Sequence, residues 1–405
     1  MSIDGTVLQK ETEGISFTVA GGQKQEKLHI LTVTENGTPI TEEQKIQLKV
    51  HGKTQGDKAR EEDKYLDITI KPKLLYWNAY TNTDNVELNV DNASFDLFME
   101  NYQQDNITKH SINYEITLEN KETNPYMVTI DGVDLTTLSY TSSIAGENKA
   151  QEKKTITIQK QDGKPVATNE QITLKFKIND PLPAEKTFTI AVKQYWLIDY
   201  SGNGYHAKLK NGAEIVKDTE GYALKLDGVD DYVEIPVLSA SHDWKEGVDI
   251  EGSFKTSVLN SEPSTILALS NTGPTDDEWQ DHIDVRVYAS EPKIYFEAMG
   301  HGALGDVIFA NGTEKESFAL GKKQTFKVDM FKRAGFYAPI YINGSKASGD
   351  GQLLTTLYPI PNVERRYNYI GRSPWGGSLF NGYIYDLAIR SDDASDNIFY
   401  YNLNR

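Results

Sequence analysis

The chain has 405 residues and not one cysteine. That absence removes disulfide scaffolds, thiolate zinc sites and thiol nucleophiles together, and leaves the redox compartment open. Long apolar runs are missing too. No stretch approaches the ~20 consecutive apolar residues of a membrane-spanning helix, so membrane insertion is not expected. The opening MSIDGTVLQKETEG has neither the basic start nor the apolar run of a signal peptide, and with Met1 as the native start export by the general route is not expected. Basic charge is scarce: 42 Lys and Arg stand against 59 Asp and Glu, a formal charge of −17. Such a surplus repels a phosphate backbone, and the Lys-rich pieces, such as Lys71-Pro72-Lys73, are too short to offset it, so nucleic acid is not an expected partner. The histidines (His29, His51, His110, His206, His242, His282 and His301) show no His-x-His or His-Glu-x-x-His spacing, which speaks against a zinc site.

What remains is alternation. KLHILTVTENG, QITLKFKIND, KTFTIAVKQ and QTFKVDMF place Thr, Val, Ile and aromatic residues on every second position, and NG, DG and GG pairs punctuate them. The chain therefore reads as all-β, with two to four domains at this length and a 38% hydrophobic content able to form cores. The best helical candidate is DASDNIFYYN over 393–402, which opens on residues able to cap a helix.

An internal repeat organises the first half. Sliding 26–50 by 126 positions lays EKLHILTVTENGTPITEEQKIQLKV on EKKTITIQKQDGKPVATNEQITLKF with eight of 25 residues identical, including Gly37/Gly163, Pro39/Pro165, Ile46/Ile172 and Leu48/Leu174. KYLDITIKPK at 64–73 then falls on KTFTIAVKQY at 186–195 once the loop between is shortened by four residues. Each copy reads as strand, x-Gly-x-Pro turn, strand, loop, strand before an aromatic pair, Tyr76-Trp77 or Tyr195-Trp196. This gives two immunoglobulin-like β-sandwich units, 1–73 and 74–194, the second with extra strands, followed by a third domain over 195–405.

Four segments of that third domain, IDYSGNGYHAKLKNG, GYALKLDGVDDYVEIP, APIYINGSKASGDGQ and NYIGRSPWGGSLFNGYIYDLAIRS, occur in an order and spacing that resembles the laminin-G-like, concanavalin A-like jelly-roll superfamily. The resemblance implies two curved antiparallel sheets and leaves function open, because that superfamily includes lectins, glycosidases and inert spacers.

The DYSGNGYHAKLKN stretch at 199–211 is the first candidate site. It lacks the Lys-Ser/Thr ending of a phosphate loop, and as an EF-hand it carries Lys210 where a bidentate glutamate belongs. Two readings stay open. The resemblance implies a structural calcium held by Asp199, Asn203 and Asp386; the residues themselves equally describe an Asx-type turn in which Asp199 and Ser201 satisfy local amides. For catalysis, Asp249 and Glu251 alternate on one strand but read as a solvated strand end, and Asp281-His282 beside Asp284 reads as a surface loop with no nucleophile elbow. No enzyme is expected. Binding has better candidates: Trp279, Tyr288 and Trp375 lie in or beside polar, loop-like sequence where flat aromatic faces suit a sugar, whereas Trp77, Trp196 and Trp244 read as core.

The combination resembles virion surface proteins of tailed bacteriophages, whether head decoration or fibre base. That implies a non-enzymatic structural or adhesion protein, oligomeric in an assembly with other virion proteins, released by lysis and meeting host surface glycans. The alternatives are a secreted bacterial glycan-binding protein and a diverged glycoside hydrolase.

Overall fold

β-Branched and aromatic side chains lose little freedom on a pleated surface and pack well across it, so period-two runs of them settle as strands. In the computed structural model every regular element among the described residues is a strand, and the four larger sheets form two all-β sandwiches, each with its own core. The structure describes residues 2–3, 6–7, 31–32, 44–53, 60–70, 77–101, 111–119, 121–146, 150–180, 183–273, 281–288, 290–302, 305–314, 316–353, 360–391 and 396–405. The expected helix over 393–402 is corrected: Phe399–Asn402 is a strand paired with Asn381–Ser391. Its aromatic run alternates, with Phe399 and Tyr401 inward, and that period outweighs a capping signal.

Residues 77–193 form a sandwich of two five-stranded sheets. One runs Val133–Asp134, Tyr126–Ile130, Ala150–Lys160, Asn92–Asn101, Trp77–Thr81; the other runs Tyr140–Ile144, Ile112–Leu118, Asn169–Asp180, Ala184–Lys193, Asn85–Glu87. Phe95, Leu97 and Met99 from the first meet Ile172, Leu174, Phe176 and Ile178 from the second, all buried. The hairpin Asn169–Asp180/Ala184–Lys193 pairs Ile172 with Ile190 and Leu174 with Phe188. The earlier hairpin, Gln44–Lys53/Glu61–Ile70, pairs Ile46 with Ile68 and Leu48 with Leu66. The two registers coincide when the first strand is shifted by 126 and the second by 122, the four-residue difference being the shortened loop. Burial separates the copies: Leu66 is 54% exposed, whereas its counterpart Phe188 is buried. Gly37 lies outside the described residues; its counterpart Gly163 occupies a turn at φ +71°.

Residues 196–402 supply a second, larger sandwich. Its nine-stranded sheet carries, in spatial order, Trp196–Leu197, Ala207–Lys210, Tyr232–Ile235, Tyr367–Ile370, Ser264–Ser270, His282–Val287, Ile294–Gly302 and Gly305–Gly312, with Ser378–Leu379 on the side. The ten-stranded sheet centres on Gly221–Asp227, Asn381–Ser391, Gly247–Lys255 and Gln324–Lys332. Phe254 sits between them with Phe318, Phe326 and Phe380 around it, ring centroids 5.2, 6.0 and 6.3 Å away. Asn343 and Gly344, φ +50° and +75°, close the Ile340–Ile342/Ser345–Lys346 hairpin with the positive φ pair that matches strand twist.

The two cores remain separate, one ending at Val192 and the other starting at Leu197. Gln194 lies between them, buried, with its backbone amide donating to Thr168 O at 2.9 Å and Nε2 to Val90 O at 2.8 Å. Thr168 also reaches the larger sandwich, since its amide donates to Ile215 O at 2.8 Å and its Oγ1 accepts from Ile215 N at 2.6 Å. Gln194→Ala strands the Val90 carbonyl and should lower stability by about 1–3 kcal/mol, read from denaturant unfolding; an unchanged midpoint would show that water reaches this junction.

A carboxylate cleft beneath Trp375

Strand His282–Val287 alternates in the expected way: Ile283, Val285 and Val287 enter the core, leaving His282, Asp284 and Arg286 on the outer face. The surface-loop reading of 281–284 is thereby corrected. The next strand places Glu297 directly opposite Asp284 and Tyr295 opposite Arg286. Ordinarily this polar row would face water. Here the loop after Tyr367–Ile370 folds back over it, because Ser378 and Leu379 pair in parallel with Ser264 and Thr265, and Phe380 N donates to Gly371 O at 3.0 Å. The loop drops Trp375 against His282, with ring centroids 4.8 Å apart at 61°.

The result is a cleft of about 220 Å³ lined by Glu262, Thr265, His282, Asp284, Arg286, Glu297, Trp375 and the Gly376-Gly377 pair. Arg286 organises its charges: Nε lies 2.8 Å from Asp284 Oδ2 and Nη2 donates to Glu297 Oε1 at 2.9 Å. His282 Nε2 is 2.9 Å from the same Glu297 oxygen, so Nε2 carries a proton toward the carboxylate. Neither His282 Nδ1 nor Asp284 Oδ1 has a hydrogen-bond partner, and both are buried. Burial pushes the Asp284 carboxyl up to about 6 against the opposing charges of Arg286 and His282. Glu297 moves the other way; the His282 hydrogen bond lowers it, against burial, and the Arg286 charge adds to the lowering.

Of the expected aromatic platforms, Trp375 lies in this cleft. Tyr288 stands 38% exposed at the end of the same strand, capped by Lys293 Nζ at 4.0 Å from its ring and linked through Tyr295 (6.3 Å) to Arg286. Trp279 lies outside the described residues. Sequence reasoning weighed His282 and Asp284 and set them aside, and it passed over Arg286 and Glu297; the alternation H-I-D-V-R-V was the available signal.

The expected metal residues have other partners. Asp199 Oδ1 accepts from Ser201 N and Tyr400 N, both at 2.9 Å, and Oδ2 accepts from Ser201 Oγ at 2.8 Å and Tyr205 N at 2.9 Å. Asn203 Nδ2 donates to the carbonyls of Asn397 and Ile398 at 3.0 Å. Asp386 accepts from Ser253 Oγ at 2.5 Å, beside a groove of about 570 Å³ on the ten-stranded sheet. Asp199 and Asn203 thus share one turn, Asp386 belongs to another cluster, and with all four Asp199 acceptor positions taken this donor set does not fit calcium. Among the described residues, one trio of acidic or histidine side chains lies close enough to share a cation: Asp227, Asp230 and Asp231. Its carboxylates serve the turn, Asp227 Oδ1 accepting from Val229 N at 2.7 Å and Asp231 Oδ1 from Gly212 N at 2.7 Å.

Asp249 is also corrected. It sits in mid-sheet, buried, with Oδ2 accepting from Arg390 Nε and Nη2 at 2.9 and 2.6 Å, because Arg390 lies directly across the strand pair. Glu251 shares Arg390 at 3.7 Å.

No family model matches the chain, and no curated protein matches it. Among solved structures it is similar to a "putative carbohydrate binding protein" from Bacteroides ovatus, at 11% identity over 80% of this chain and 89% of that one, with a TM-score of 0.27. It is also similar to the enzymatically active domain of tailspike protein 2 of bacteriophage CBA120, at 13% identity over 53% of this chain and 36% of that one, with a TM-score of 0.35. A third likeness, at 8% identity and a TM-score of 0.21, is to the secreted serine protease VesC of Vibrio cholerae, over 73% of this chain and half of that one. At such scores none of them bears on function.

Two outcomes are expected. A carboxyl raised in the folded state contributes stability below its unfolded value of 3.8 that is lost as pH rises through about 6. Asp284→Asn does not titrate, so its melting temperature relative to wild type should rise between pH 4 and pH 7; a constant difference would place the raised value elsewhere. Asp199→Asn loses acceptors for two of four donors and should cost about 1–3 kcal/mol, while calcium or chelator leaves wild-type melting unchanged. A calcium-dependent rise in wild-type melting would overturn that account of the turn.

Proposed function

We propose that the chain is a non-enzymatic glycan-binding surface protein, displayed on the virion of a tailed phage as a head-decoration or fibre-attachment component. In this reading 196–402 is a laminin-G-like, concanavalin A-like jelly roll presented by immunoglobulin-like units, several copies assemble with other virion proteins, and the glycan belongs to the host surface. The observation that carries it is the Trp375 cleft: an indole beside a row of carboxylates. Aromatic faces stack on the apolar face of a sugar ring while acidic oxygens take its hydroxyl hydrogens.

One observation favours a second reading, glycoside hydrolysis. Asp284 and Glu297 face each other with acidities displaced in opposite directions, as an acid and a nucleophile would be. Against it, Arg286 engages both carboxylates and the Asp284 side chain is only 2% exposed, which denies it a path to a glycosidic oxygen.

The test is retention of the full chain on immobilised bacterial surface polysaccharide. Trp375→Ala should weaken retention about tenfold or more, measured on protein shown to be folded, since truncation also loses the ring contact of ~0.5–1.5 kcal/mol and the area that the indole buries. Retention unaffected by this change would sink the assignment of the cleft, and release of reducing sugar by wild type but not by Asp284→Asn would establish the hydrolase.

A further inference from the structure

The outer face of the ten-stranded sheet holds a groove of about 570 Å³ that shares no residue with the Trp375 cleft. Strand register gives it its shape. Across five adjacent strands Tyr400 stands opposite Ala388, Ala388 opposite Glu251, Glu251 opposite Lys327 and Lys327 opposite Tyr341. Opposed residues of antiparallel strands share a face, so this transverse row begins and ends on a phenol ring and is lowest at the Ala388 methyl. Four strand spacings of about 4.8 Å set the two tyrosine positions ~19 Å apart. Asp386, Ser253 and Thr325 form a second row beside it. The polar groups of both rows can be reached from solvent: Thr325 is exposed, the Glu251 side chain is 47% exposed, and Tyr341, Lys327 and Asp386 are half-buried. Among the described residues no hydrogen bond engages Tyr341 Oη or Thr325 Oγ1, and Glu251 has the 3.7 Å contact with Arg390 alone. Asp386 accepts from Ser253 through Oδ2.

We propose that this groove is a second saccharide site, which takes an extended, uncharged oligosaccharide lying across the strands with one sugar ring against Tyr400 and another against Tyr341. The groove rests on the glycan-binding reading only for the class of its ligand, and the two sites can fail separately. Phenol rings stack on the apolar face of a pyranose, while interleaved donors (Tyr341, Thr325, Lys327) and acceptors (Glu251, Asp386) suit hydroxyls, which act as both. Glu251, Asp329 and Asp386 line the groove against the single ammonium of Lys327, which lies 3.3 Å from Asp249 Oδ2. A polyanion therefore meets net repulsion, and a neutral chain does not. Because the outer faces of stacked sheets point away from each other, one copy presents this groove and the Trp375 cleft back to back and can hold two glycan chains at once.

The experiment measures retention of the full chain on immobilised glucan, mannan, galactan, polygalacturonate and polylysine, with wild type beside folded Trp375→Ala protein, in which the first cleft is disabled. Trp375→Ala should keep binding to at least one neutral polysaccharide, with polygalacturonate about tenfold or more weaker. Adding Tyr341→Ala should lower that residual binding about three- to tenfold. Thr325→Arg, on an exposed position where it removes no packed group, places a long side chain in the groove and should do the same. Fragments of the retained polysaccharide long enough to span ~19 Å should compete better than its monosaccharide. Residual binding indifferent to both Tyr341→Ala and Thr325→Arg would overturn the groove as a site and leave the Trp375 cleft standing. Retention of wild type with none of Trp375→Ala would do the same, whereas no retention of either protein on any neutral polysaccharide would remove both sites. Preferential capture on polylysine would make the groove an acidic surface for a basic peptide, and equal competition by the monosaccharide would refute the span between the two tyrosines.

Discussion

A guanidinium between two carboxylates makes the outer face of the nine-stranded sheet tolerable. Asp284 and Glu297 stand opposite each other on adjacent strands, a placement that repels unless a cation intervenes, and Arg286 intervenes from two residues along the first strand. With that charge in place the loop carrying Trp375 can cover the row without trapping uncompensated ions. The arrangement stops short of full satisfaction. Buried atoms of His282 and Asp284 remain unpaired under the loop, and in a native protein such atoms call for an explanation.

Much of this architecture could be read from residue order alone, and the reasons for the failures are specific. Period-two patterning revealed the strands because alternation is a direct consequence of the pleat, and the 126-residue repeat carried the register of both hairpins because its central apolar positions, Ile46 and Leu48 or Ile172 and Leu174, each face an apolar partner. DASDNIFYYN misled because its polar lead suits a cap, whereas the deciding contacts, Leu387 to Tyr401 and Ile389 to Phe399, lie ten or more residues away. The cleft was hidden for a related reason. Trp375 and His282 were both visible as residues, but their meeting depends on a parallel bridge between Ser264–Ser270 and Ser378–Leu379, a pairing that local sequence does not announce. Burial of Asp249 was likewise invisible until Arg390 was seen across the strand.

The DYSGNG turn shows how a sequence pattern can invite a metal and be satisfied without one. Asp199 offers acidic oxygens in a glycine-bearing loop, the ordinary beginning of a cation site. Backbone amides from Ser201, Tyr205 and Tyr400 converge on the carboxylate together with the Ser201 hydroxyl, and hydrogen bonds to an ionised acceptor are among the stronger kind. The same few atoms thereby join the entry of the larger sandwich to its last strand.

That junction has a kinetic side. Ser201 Oγ meets Ile398 O, and Tyr401 Oη donates to Tyr205 O, across sequence separations of 197 and 196 residues. Contacts of such span form only after the chain between them has been gathered, which places them among the slowest in an antiparallel fold. During synthesis the residues near 200 leave the ribosome about 10–40 s before those near 400, at ordinary elongation rates. Through that interval the first strands of the sandwich wait without their closing partner, and their apolar faces are exposed to neighbouring nascent chains.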